Sequence, residues 1–360
     1  MKGKTKKNIK TTLLITCISI LSIIFVVIVT GYFIIRSYIK KINIVSAIEE
    51  IYIDETQLEP EPEDLTADIS DSPKEEIDLI EEQIRKNMED NQTPIVSDDD
   101  VTNILLIGSD TRKKGGSGRS DAMIIVSINK KKKTITATSI LRDIYLKIPG
   151  KKNNRINAAY ALGGAGLLMD TIEQNFKIKV DRFVSVDFYA FIEIVDAVGG
   201  ITLDVTDKEV PIINKYIEEL NRLKGQDEAL DKLIGPGTYL LNGKQTLGYV
   251  RNRYIGTDFA RTARQREVLE KIFNGVKGLS ITKLNGLMNE ILPEVTTNLT
   301  EGEIFSLILS LPTYASYDLQ QLTVPVSNSY KNLRINKMAV LGIDFEKNIK
   351  EIHSKIYGFE

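Results

Sequence analysis

An uncharged run of 25 residues, Thr11 to Ile35, constrains the fold of this chain more than any other feature. A helix needs about 20 apolar residues to cross a membrane, whereas a cleavable signal has a core of roughly 7 to 15 followed by a small-residue site. Five lysines precede the run, and they favour a cytoplasmic N-terminus. The sequence therefore predicts a basic tail at residues 1–10 and a single transmembrane signal anchor at 11–35, which places the rest of the chain outside the cell membrane.

An acidic segment follows the predicted anchor. Residues 49–100 contain twenty Asp or Glu and three Lys or Arg, and they include the proline-rich stretch Glu-Pro-Glu-Pro-Glu at 59–63. Apart from a helical pattern at 75–88, the segment has little apolar content, which is typical of a solvated spacer. We therefore interpret residues 36–100 as a stalk. The remaining 260 residues carry a net charge of +7, which favours anionic ligands.

Apolar runs bounded by turn residues alternate with segments of helical spacing after residue 100. The predicted strands are 103–107, 123–128, 134–140, 183–186, 201–205, 248–251 and 321–326, and the predicted helices are 158–175, 188–198, 211–223, 260–276, 281–292 and 302–311. Because each face of a sheet needs helical cover, this alternation predicts a layered α/β domain with a mixed central β-sheet. We assign it residues 101–330, with 331–360 as a C-terminal extension.

The residue types that the chain lacks exclude several chemistries. The only histidine is His353, near the C-terminus, and the only cysteine is Cys17, within the predicted anchor. Thiol catalysis, Ser-His-Asp triads and Cys/His zinc sites therefore lose a required residue. Carboxylates, arginines and a hard metal ion remain.

Two aspartates flank a polar loop between predicted strands. Asp110 follows the apolar run 103–107, and Asp121 directly precedes the next strand, so the two carboxylates can meet at one sheet edge. Carboxylate pairs of this kind suit Mg²⁺ or Mn²⁺, which prefer oxygen ligands and usually retain waters. Aspartates at strand ends also cap turns, so the residues alone leave both interpretations open.

Arginines cluster further along the chain. Leu141-Arg142-Asp143 follows the strand at 134–140, and five arginines fall within the sixteen residues 251–266. If Tyr249 to Arg253 is extended, its period of two places Arg251 and Arg253 on one face, where their planar forks match a diphosphate. Arg261, Arg264 and Gln265 share a face of the helix that follows, whose start attracts anions as well. A solvated basic surface is the alternative.

In combination, these motifs resemble the LytR-CpsA-Psr family of Gram-positive cell-wall proteins. The resemblance spans residues 103–275 and rests on Asn-Ile-Leu-Leu-Ile-Gly-Ser-Asp-Thr-Arg at 103–112, Arg-Ser-Asp at 119–121, Leu-Arg-Asp at 141–143, Asn-Ala-Ala-Tyr at 157–160, Val-Asp-Ala-Val-Gly-Gly-Ile at 195–201, Tyr-Val-Arg-Asn-Arg at 249–253 and Asp-Phe-Ala-Arg at 258–261 with Arg264-Gln265. Leu141, Ala122 and Ala260 depart from residues common in the family, but no charged position is lost.

The resemblance implies an enzyme that transfers a phosphoglycosyl polymer, such as wall teichoic acid or capsule, from undecaprenyl pyrophosphate to peptidoglycan. It also implies that Asp110 and Asp121 bind Mg²⁺. The residues implied to bind the pyrophosphate, or to lie close to it, are Arg119, Arg142, Arg251, Arg253, Arg261, Asp258 and Gln265. Phosphoryl transfer depends mainly on positioning and electrostatics, which is compatible with the lack of a catalytic histidine.

The general base is left open between Asp143 and Asp258, either of which could accept the proton of the acceptor hydroxyl. A hydrolase of the same lipid pyrophosphate and a non-catalytic lipid-binding or regulatory protein are the alternative functions. Nucleic acid is not an expected partner, because the predicted domain lies outside the cell and the chain has no tryptophan for base stacking.

Overall fold

The structure is a computed structural model that describes residues 29–45, 70–90, 93–109, 118–252, 255, 258–277 and 279–359. Among these residues, no helix has the length and apolar character needed to span a membrane. Most of the predicted anchor at 11–35 lies outside the described residues. Residues 29–39, which include its end, are helical.

A mixed sheet forms the centre of the domain, as the sequence predicts, and it has seven strands in the described part of the chain. The strands are β1 (Asn43–Ile44), β2 (Val101–Ser109), β3 (Ser120–Asn129), β4 (Thr134–Ile140), β7 (Arg182–Val186), β10 (Thr296–Thr297) and β11 (Asp318–Val324). Of these, β1 and β10 were not predicted. Their order in the sheet is β1-β10-β7-β2-β3-β4-β11. Pairing is antiparallel between β10 and β7, β2 and β3, and β3 and β4, and parallel between the other neighbours. The long strands β2 and β3 are buried along most of their length, which explains their nearly continuous apolar sequences.

Three two-stranded sheets lie outside the central sheet: β5 (Tyr145–Lys147) with β6 (Asn153–Arg155), β8 (Ile201–Val205) with β9 (Gly237–Leu241), and β12 (Tyr330–Ile335) with β13 (Met338–Ile343). The strand predicted at 201–205 is therefore present, but it pairs only with β9. The sequence patterns did not predict β5, β6, β9, β12 or β13, which are short or lie where no motif was recognised.

In the described part of the chain after residue 70, the α-helices are α1 (Lys74–Glu89), α2 (Asn157–Phe176), α3 (Phe188–Ala197), α4 (Val210–Leu223), α5 (Gly243–Val250), α6 (Asp258–Lys277), α7 (Ile281–Ile291), α8 (Glu301–Tyr314) and α9 (Phe345–Ile356). Seven of these nine helices lie close to predicted positions, whereas α5 and α9 were not predicted as helices. Several begin at side chains that accept hydrogen bonds from the first turn. Asp187 caps α3 in this way, and Thr300 forms a reciprocal capping box with Glu303 at α8.

The strand predicted at 248–251 is wrong, because these residues end α5 and Arg251 is its C-cap, with φ −85° and ψ −6°. Asn242 begins this helix by accepting a hydrogen bond from the Gln245 backbone N–H, while the Gln245 side chain accepts one from the Asn242 N–H. This capping box starts a helix that the β-prone Tyr249 and Val250 then complete. The segment proposed to be extended from Tyr249 to Arg253 is therefore helical as far as the C-cap Arg251, and Arg253 lies outside the described residues.

The main hydrophobic core lies against one face of the sheet and joins α1, α2 and α9 to strands β2 and β3. Ile80 and Ile84 of α1 are buried in this core. Packing of the domain therefore begins before residue 101, within the segment interpreted as a stalk. The apolar face of α1, with isoleucines four residues apart, explains the difference, because it outweighs the acidic character of the segment as a whole.

A second core joins α3, α4, α5 and α6 to the β8–β9 pair. Ile192, Ile213 and Leu247 are among its buried side chains. Gly243 and Gly248 of α5 allow close approach of the neighbouring helices, since a Cβ at Gly243 would lie 2.4 Å from the Ile192 carbonyl oxygen. This core supports α5, the helix that ends at Arg251.

Candidate functional site

The candidate site lies where β2 ends and β3 begins. Gly108 pairs with Ala122 and Ser109 pairs with Ser120, so Asp121 is the extra residue of a β-bulge. A bulge turns a side chain out of the regular alternation of the strand, and bulges are common beside active sites. The Asp121 side chain is only 9% exposed. The bulge therefore sets a nearly buried carboxylate at this end of the sheet.

Arg142 approaches Asp121 from the end of β4. Its Nη1 atom lies 3.6 Å from Asp121 Oδ1, and its Nε atom lies 3.4 Å from Asp143 Oδ1. The Arg142 side chain is 2% exposed. The backbone here is fixed from both sides, because Asn157 N–H donates to the Arg142 carbonyl and Leu341 N–H donates to the Asp143 carbonyl. The guanidinium is thus held between two carboxylates with little contact with water.

Arg251, at the end of α5, is the second guanidinium beside Asp121, with its Nε atom 3.9 Å from Asp121 Oδ2. Its guanidinium carbon lies 4.3 Å from the ring centre of Phe188 and 4.7 Å from that of Tyr216, both typical cation–π distances. The Tyr216 hydroxyl also donates a hydrogen bond of 3.2 Å to the Arg251 carbonyl. Two aromatic rings and a backbone contact therefore orient this arginine.

Phe188 and Tyr216 are site residues that the sequence analysis missed. Phe188 is the first residue of α3, which the Asp187 cap fixes, and Tyr216 lies in the middle of α4. The contacts join Arg251 to positions 63 and 35 residues away in the chain, so local sequence does not indicate them. Only the tertiary arrangement of α3, α4 and α5 brings them to Arg251.

Arg264 has a structural role in this region. Its Nη2 atom donates hydrogen bonds to the carbonyls of Asn252, at 2.7 Å, and Ile255, at 3.2 Å, and its Nη1 atom lies 3.7 Å from Glu209. Arg264 thereby joins α6 to the residues that follow Arg251. The shared helix face predicted for Arg261, Arg264 and Gln265 therefore includes one arginine that binds protein carbonyls.

The structure brings four predicted site residues together, namely Asp121, Arg142, Asp143 and Arg251. Others can be placed only by element. Arg119 is half-buried just before β3, Arg261 is buried in the first turn of α6, and Gln265 is half-buried one turn later, while Asp258 is the first residue of α6 and its side chain is not described. Asp110 and Arg253 lie outside the described residues.

A divalent ion such as Mg²⁺ at this sheet edge would need oxygen ligands. The described residues contain no group of three His, Cys, Asp or Glu side chains placed to hold a metal. Mg²⁺ usually uses one or two protein carboxylates together with waters and substrate phosphate. Asp121 supplies one buried carboxylate, and Asp110 directly follows Ser109, the last residue of β2. Of the two predicted ligands, Asp121 alone is among the described residues, and its carboxylate is of the kind that an open magnesium site uses.

Buried polar atoms at the site also fit a polar ligand. Within the described part of the chain, Arg251 Nε and Ser120 Oγ are buried and have no hydrogen-bond partner. Such atoms cost free energy unless a ligand or water satisfies them. Two guanidinium groups beside one carboxylate can hold an anion with several oxygen atoms, for which phosphate and diphosphate are suitable.

His353 lies in a different environment. It is buried in α9, and its Nε2 atom is 2.9 Å from the Lys177 carbonyl, at the end of α2. Burial lowers the pKa of His353, which favours its neutral form. Its contacts are with the protein core, in which Tyr357 packs beside it. They provide no support for a histidine general base.

A model of the LytR_cpsA_psr family matches residues 68–353. Regulatory protein MsrR of Staphylococcus aureus is 33% identical over 246 residues, which are 67% of this chain and 69% of that protein. Biofilm regulatory protein A of Streptococcus mutans is 35% identical over 219 residues, and these cover 57% of this chain and 52% of that protein. The chain thus spans about half the length of the latter relative.

One relative carries the name of an enzyme. Polyisoprenyl-teichoic acid–peptidoglycan teichoic acid transferase TagU of Bacillus licheniformis is 35% identical over 232 residues, which are 63% of this chain and 70% of that protein. The solved structure of TagT bound to LIIa-WTA has a TM-score of 0.55 at 28% identity, over 74% of this chain and 94% of that one. A structure of YwtF (TagT) with bound octaprenyl pyrophosphate has a TM-score of 0.52 at 27% identity, over 74% of this chain and 95% of that one. Since the family model covers most of the sequence and solved members share its fold, the chain belongs to the LytR_cpsA_psr family.

Proposed function

We propose that this protein is a single-pass membrane enzyme that transfers an anionic glycopolymer from undecaprenyl pyrophosphate to peptidoglycan outside the cell. The polymer would be wall teichoic acid, capsule or a related phosphoglycosyl chain. The observation that carries the proposal is the placement of two nearly buried guanidinium groups, Arg142 and Arg251, on either side of Asp121. The names of the transferase TagU and of the lipid-bound TagT structure support the same substrate class.

In the proposed reaction, an oxygen of a peptidoglycan hydroxyl attacks the phosphorus that carries the polymer. A phosphodiester forms, the bond between this phosphorus and the bridging oxygen of the diphosphate breaks, and polyprenyl phosphate leaves with that oxygen. Arg142 and Arg251 would bind the diphosphate oxygens and stabilise the negative charge that accumulates on the leaving group. The rings of Phe188 and Tyr216 would keep Arg251 oriented through this step.

The hydroxyl proton needs an acceptor. Asp143 lies 3.4 Å from Arg142, so it is already part of the charged cluster, whereas Asp258 begins α6. We propose one of these two carboxylates as the general base. Arg119, Arg253, Arg261 and Gln265 complete the proposed anion-binding set, with Arg261 buried in the first turn of α6.

Magnesium is the proposed cofactor, with Mn²⁺ as a substitute. Asp121 and Asp110 would hold the ion, which would neutralise charge on the diphosphate when bound. The proposal also includes an N-terminus in the cytoplasm and an anchor at residues 11–35, with the transferase domain on the outer side of the membrane. This location would expose the site to both lipid-linked polymer and peptidoglycan.

A direct test uses the full chain in lipid vesicles with synthetic polyprenyl-pyrophosphate-linked saccharide, Mg²⁺ and peptidoglycan fragments. We expect wild-type protein to attach the saccharide through a phosphodiester, and Asp121→Ala to fold but lose transfer by a factor of about 10³. Asp318→Ala is the matched control, because Asp318 is an exposed aspartate at the opposite end of the sheet. Unchanged transfer by Asp121→Ala would refute the role of this carboxylate.

The same assay separates the alternatives. Release of free saccharide phosphate by wild-type protein, without attachment, would identify a hydrolase of the lipid pyrophosphate. Binding without either product would favour a regulatory protein, an alternative supported by the names of the MsrR and biofilm regulatory relatives. A domain that neither binds nor reacts with the lipid would contradict the proposed function.

A further inference from the structure

The C-terminal half of α8 exposes large apolar side chains. Leu309 and Leu311 are 61% and 60% exposed, whereas Ile304 in the first half of the same helix is buried. The two leucines lie two residues apart and so point to different sides of the helix, which makes the end of α8, and not one of its faces, apolar. Exposed apolar surface of this kind often contacts another apolar phase. We call Leu309 and Leu311 the α8 apolar end.

The helix formed by residues 29–39 packs along α8 in the opposite direction. Arg36 Nε lies 3.9 Å from Glu301 Oε2 at the start of α8, and one turn further the ring of Tyr32 lies 5.6 Å from that of Phe305. From the first contact to the second, the residue number decreases by four in one helix and increases by four in the other, so the two helices are antiparallel. One more turn along α8 reaches Leu309, at the end where the described part of the neighbouring helix begins.

This antiparallel packing joins two apolar surfaces. Tyr32, Phe33 and Ile34 of the neighbouring helix are exposed, and they belong to the uncharged run that starts at Thr11. Ile39 and Ile304 are buried between the two helices, together with Leu299. The contact is thus a packed interface, and it brings the end of the uncharged run and the α8 apolar end to the same side of the domain.

Charged and polar groups lie at the opposite end of the helix pair. Arg36 pairs with Glu301, the Tyr38 hydroxyl donates to Asn285 Oδ1 at 2.5 Å, and Lys41 donates to Asn289. Arg182 and Glu303 also fix the first turn of α8 to β7. A gradient from cationic and polar groups to exposed aromatic and aliphatic groups is typical of a segment that enters a membrane interface.

From this arrangement, we propose that the α8 apolar end is a membrane-docking surface that inserts into the outer leaflet beside the anchor helix. Leu309 and Leu311 would contact lipid acyl chains, and α8 would act as a second, non-spanning contact with the bilayer. The inference rests on the proposed membrane location and is independent of the proposed transfer reaction. It places the domain on the membrane surface, in contrast to the separation expected from an acidic stalk.

The absence of tryptophan from the chain provides a direct test, because each single-tryptophan variant reports one position. Leu309→Trp and Leu311→Trp are prepared in the full chain, with Leu223→Trp as the control. Leu223 is also an exposed leucine near the end of a helix, at the C-terminal residue of α4. Each variant is reconstituted in phosphatidylglycerol and phosphatidylethanolamine vesicles that contain brominated acyl chains and no polyprenyl lipid.

We expect the emission of Leu309→Trp and Leu311→Trp to be blue-shifted and quenched by the brominated lipid, and that of Leu223→Trp to be neither. Quenching cannot come from a substrate tail, because the vesicles contain none. Blue-shifted but unquenched emission would indicate a second protein copy on this surface and would overturn the proposal. Emission like that of Leu223→Trp would overturn it as well.

Flotation of the vesicles separates this inference from the proposed membrane location. If the protein floats with the vesicles but the tryptophans on α8 remain unquenched, only the docking surface is wrong. If the protein does not float with the vesicles, the membrane location and the docking surface both fail. The transfer assay uses wild-type protein in a separate experiment. A failure to detect transfer would therefore not change the conclusion from the fluorescence measurement.

Discussion

The two ends of the central sheet both carry contacts between arginine and carboxylate, but their geometries differ. At one end, Arg182 binds Glu303 through two hydrogen bonds of 2.5 and 3.1 Å, and the side chains are 35% and 37% exposed. At the other end, Arg142 and Arg251 approach Asp121 at 3.6 and 3.9 Å in a nearly water-free environment.

This difference separates a structural ion pair from a candidate binding site. The short pair of Arg182 and Glu303 satisfies both partners and fixes α8 to the sheet, and its exposure limits its contribution to stability. The cluster around Asp121 places charged groups where water screens them little. Such burial costs free energy, and groups of this kind are often found where a charged ligand binds.

The largest expected effect is on stability, after removal of Arg142. Arg142→Gln leaves the buried carboxylate of Asp121 and the partly buried carboxylate of Asp143 without this cation, and we expect a loss of about 3–5 kcal/mol in the free energy of unfolding. Arg182→Gln, at the exposed end, should lose about 1 kcal/mol or less. Urea unfolding followed by circular dichroism measures both variants. Equal losses would remove the proposed distinction between the two ends.

Removal of Arg251 should affect the reaction more than the fold. We expect Arg251→Ala to lower the rate of transfer by a factor of about 10²–10³, because a guanidinium that stabilises the developing charge is lost. Arg251→Lys should recover only part of the rate, since lysine lacks the planar fork. Arg182→Ala provides the control at the opposite end and should transfer at nearly the wild-type rate. A similar loss in Arg182→Ala would show that the effect is not specific to the site.

The aromatic support of Arg251 should have a smaller effect. Phe188→Leu removes one ring from the guanidinium at 4.3 Å, and we expect affinity for polyprenyl pyrophosphate to weaken by about 0.5–2 kcal/mol. Phe191→Leu, the same substitution in the same helix, serves as the control, because both phenylalanines pack against the second core and the ring over Arg251 is that of Phe188. Calorimetric titration compares the two variants. Equal affinities would indicate that Phe188 does not orient the binding group.

The smallest expected effect is on the pH dependence of stability, through the exposed ion pair of Arg182 and Glu303. The hydrogen bond from Arg182 is the main cause that lowers the pKa of Glu303 to about 2. Because the folded-state pKa lies below the unfolded value of about 4.3, the pair stabilises the protein above that value, and this contribution is lost as pH falls toward 2. Solvent exposure limits the contribution to about 1 kcal/mol or less.

Glu303→Gln should therefore reduce stability at neutral pH and make its dependence on pH between about 4.5 and 2 less steep. Glutamine can retain the capping box with Thr300, so helix α8 remains capped. Glu301→Gln is the control, since Glu301 lies in the same turn and contacts Arg36 only at 3.9 Å. An unchanged profile for Glu303→Gln would show that the pair with Arg182 contributes nothing measurable.

Much of this sheet and part of the candidate site could be predicted from local sequence. Strands β2, β3 and β4 are apolar runs, so the positions of Asp121 at the start of β3 and Arg142 after β4 follow from the order of the chain. Antiparallel pairing of neighbouring strands then brings these ends to one edge, and the structure places Asp121 beside Arg142 as expected.

Other features depend on information that local patterns do not contain. The bulge at Asp121 is a matter of register between two strands, and the rings around Arg251 come from two different helices. The wrong strand prediction at 248–251 has another cause, because the sequence does contain a helix-start signal just before it. Asn242 and Gln245 have the spacing of a capping box, but the β-branched and aromatic residues of a short segment favoured a strand.

The central claim is that the diphosphate binds at the Asp121 end of the sheet. Its most direct test is a crystal structure of the protein with a short-chain polyprenyl pyrophosphate and Mg²⁺. The account predicts phosphate oxygens within hydrogen-bonding distance of Arg142 and Arg251, with the metal on Asp121. A diphosphate bound elsewhere, for example at the Arg182 end, with both Arg142 and Arg251 remote from it, would contradict the account.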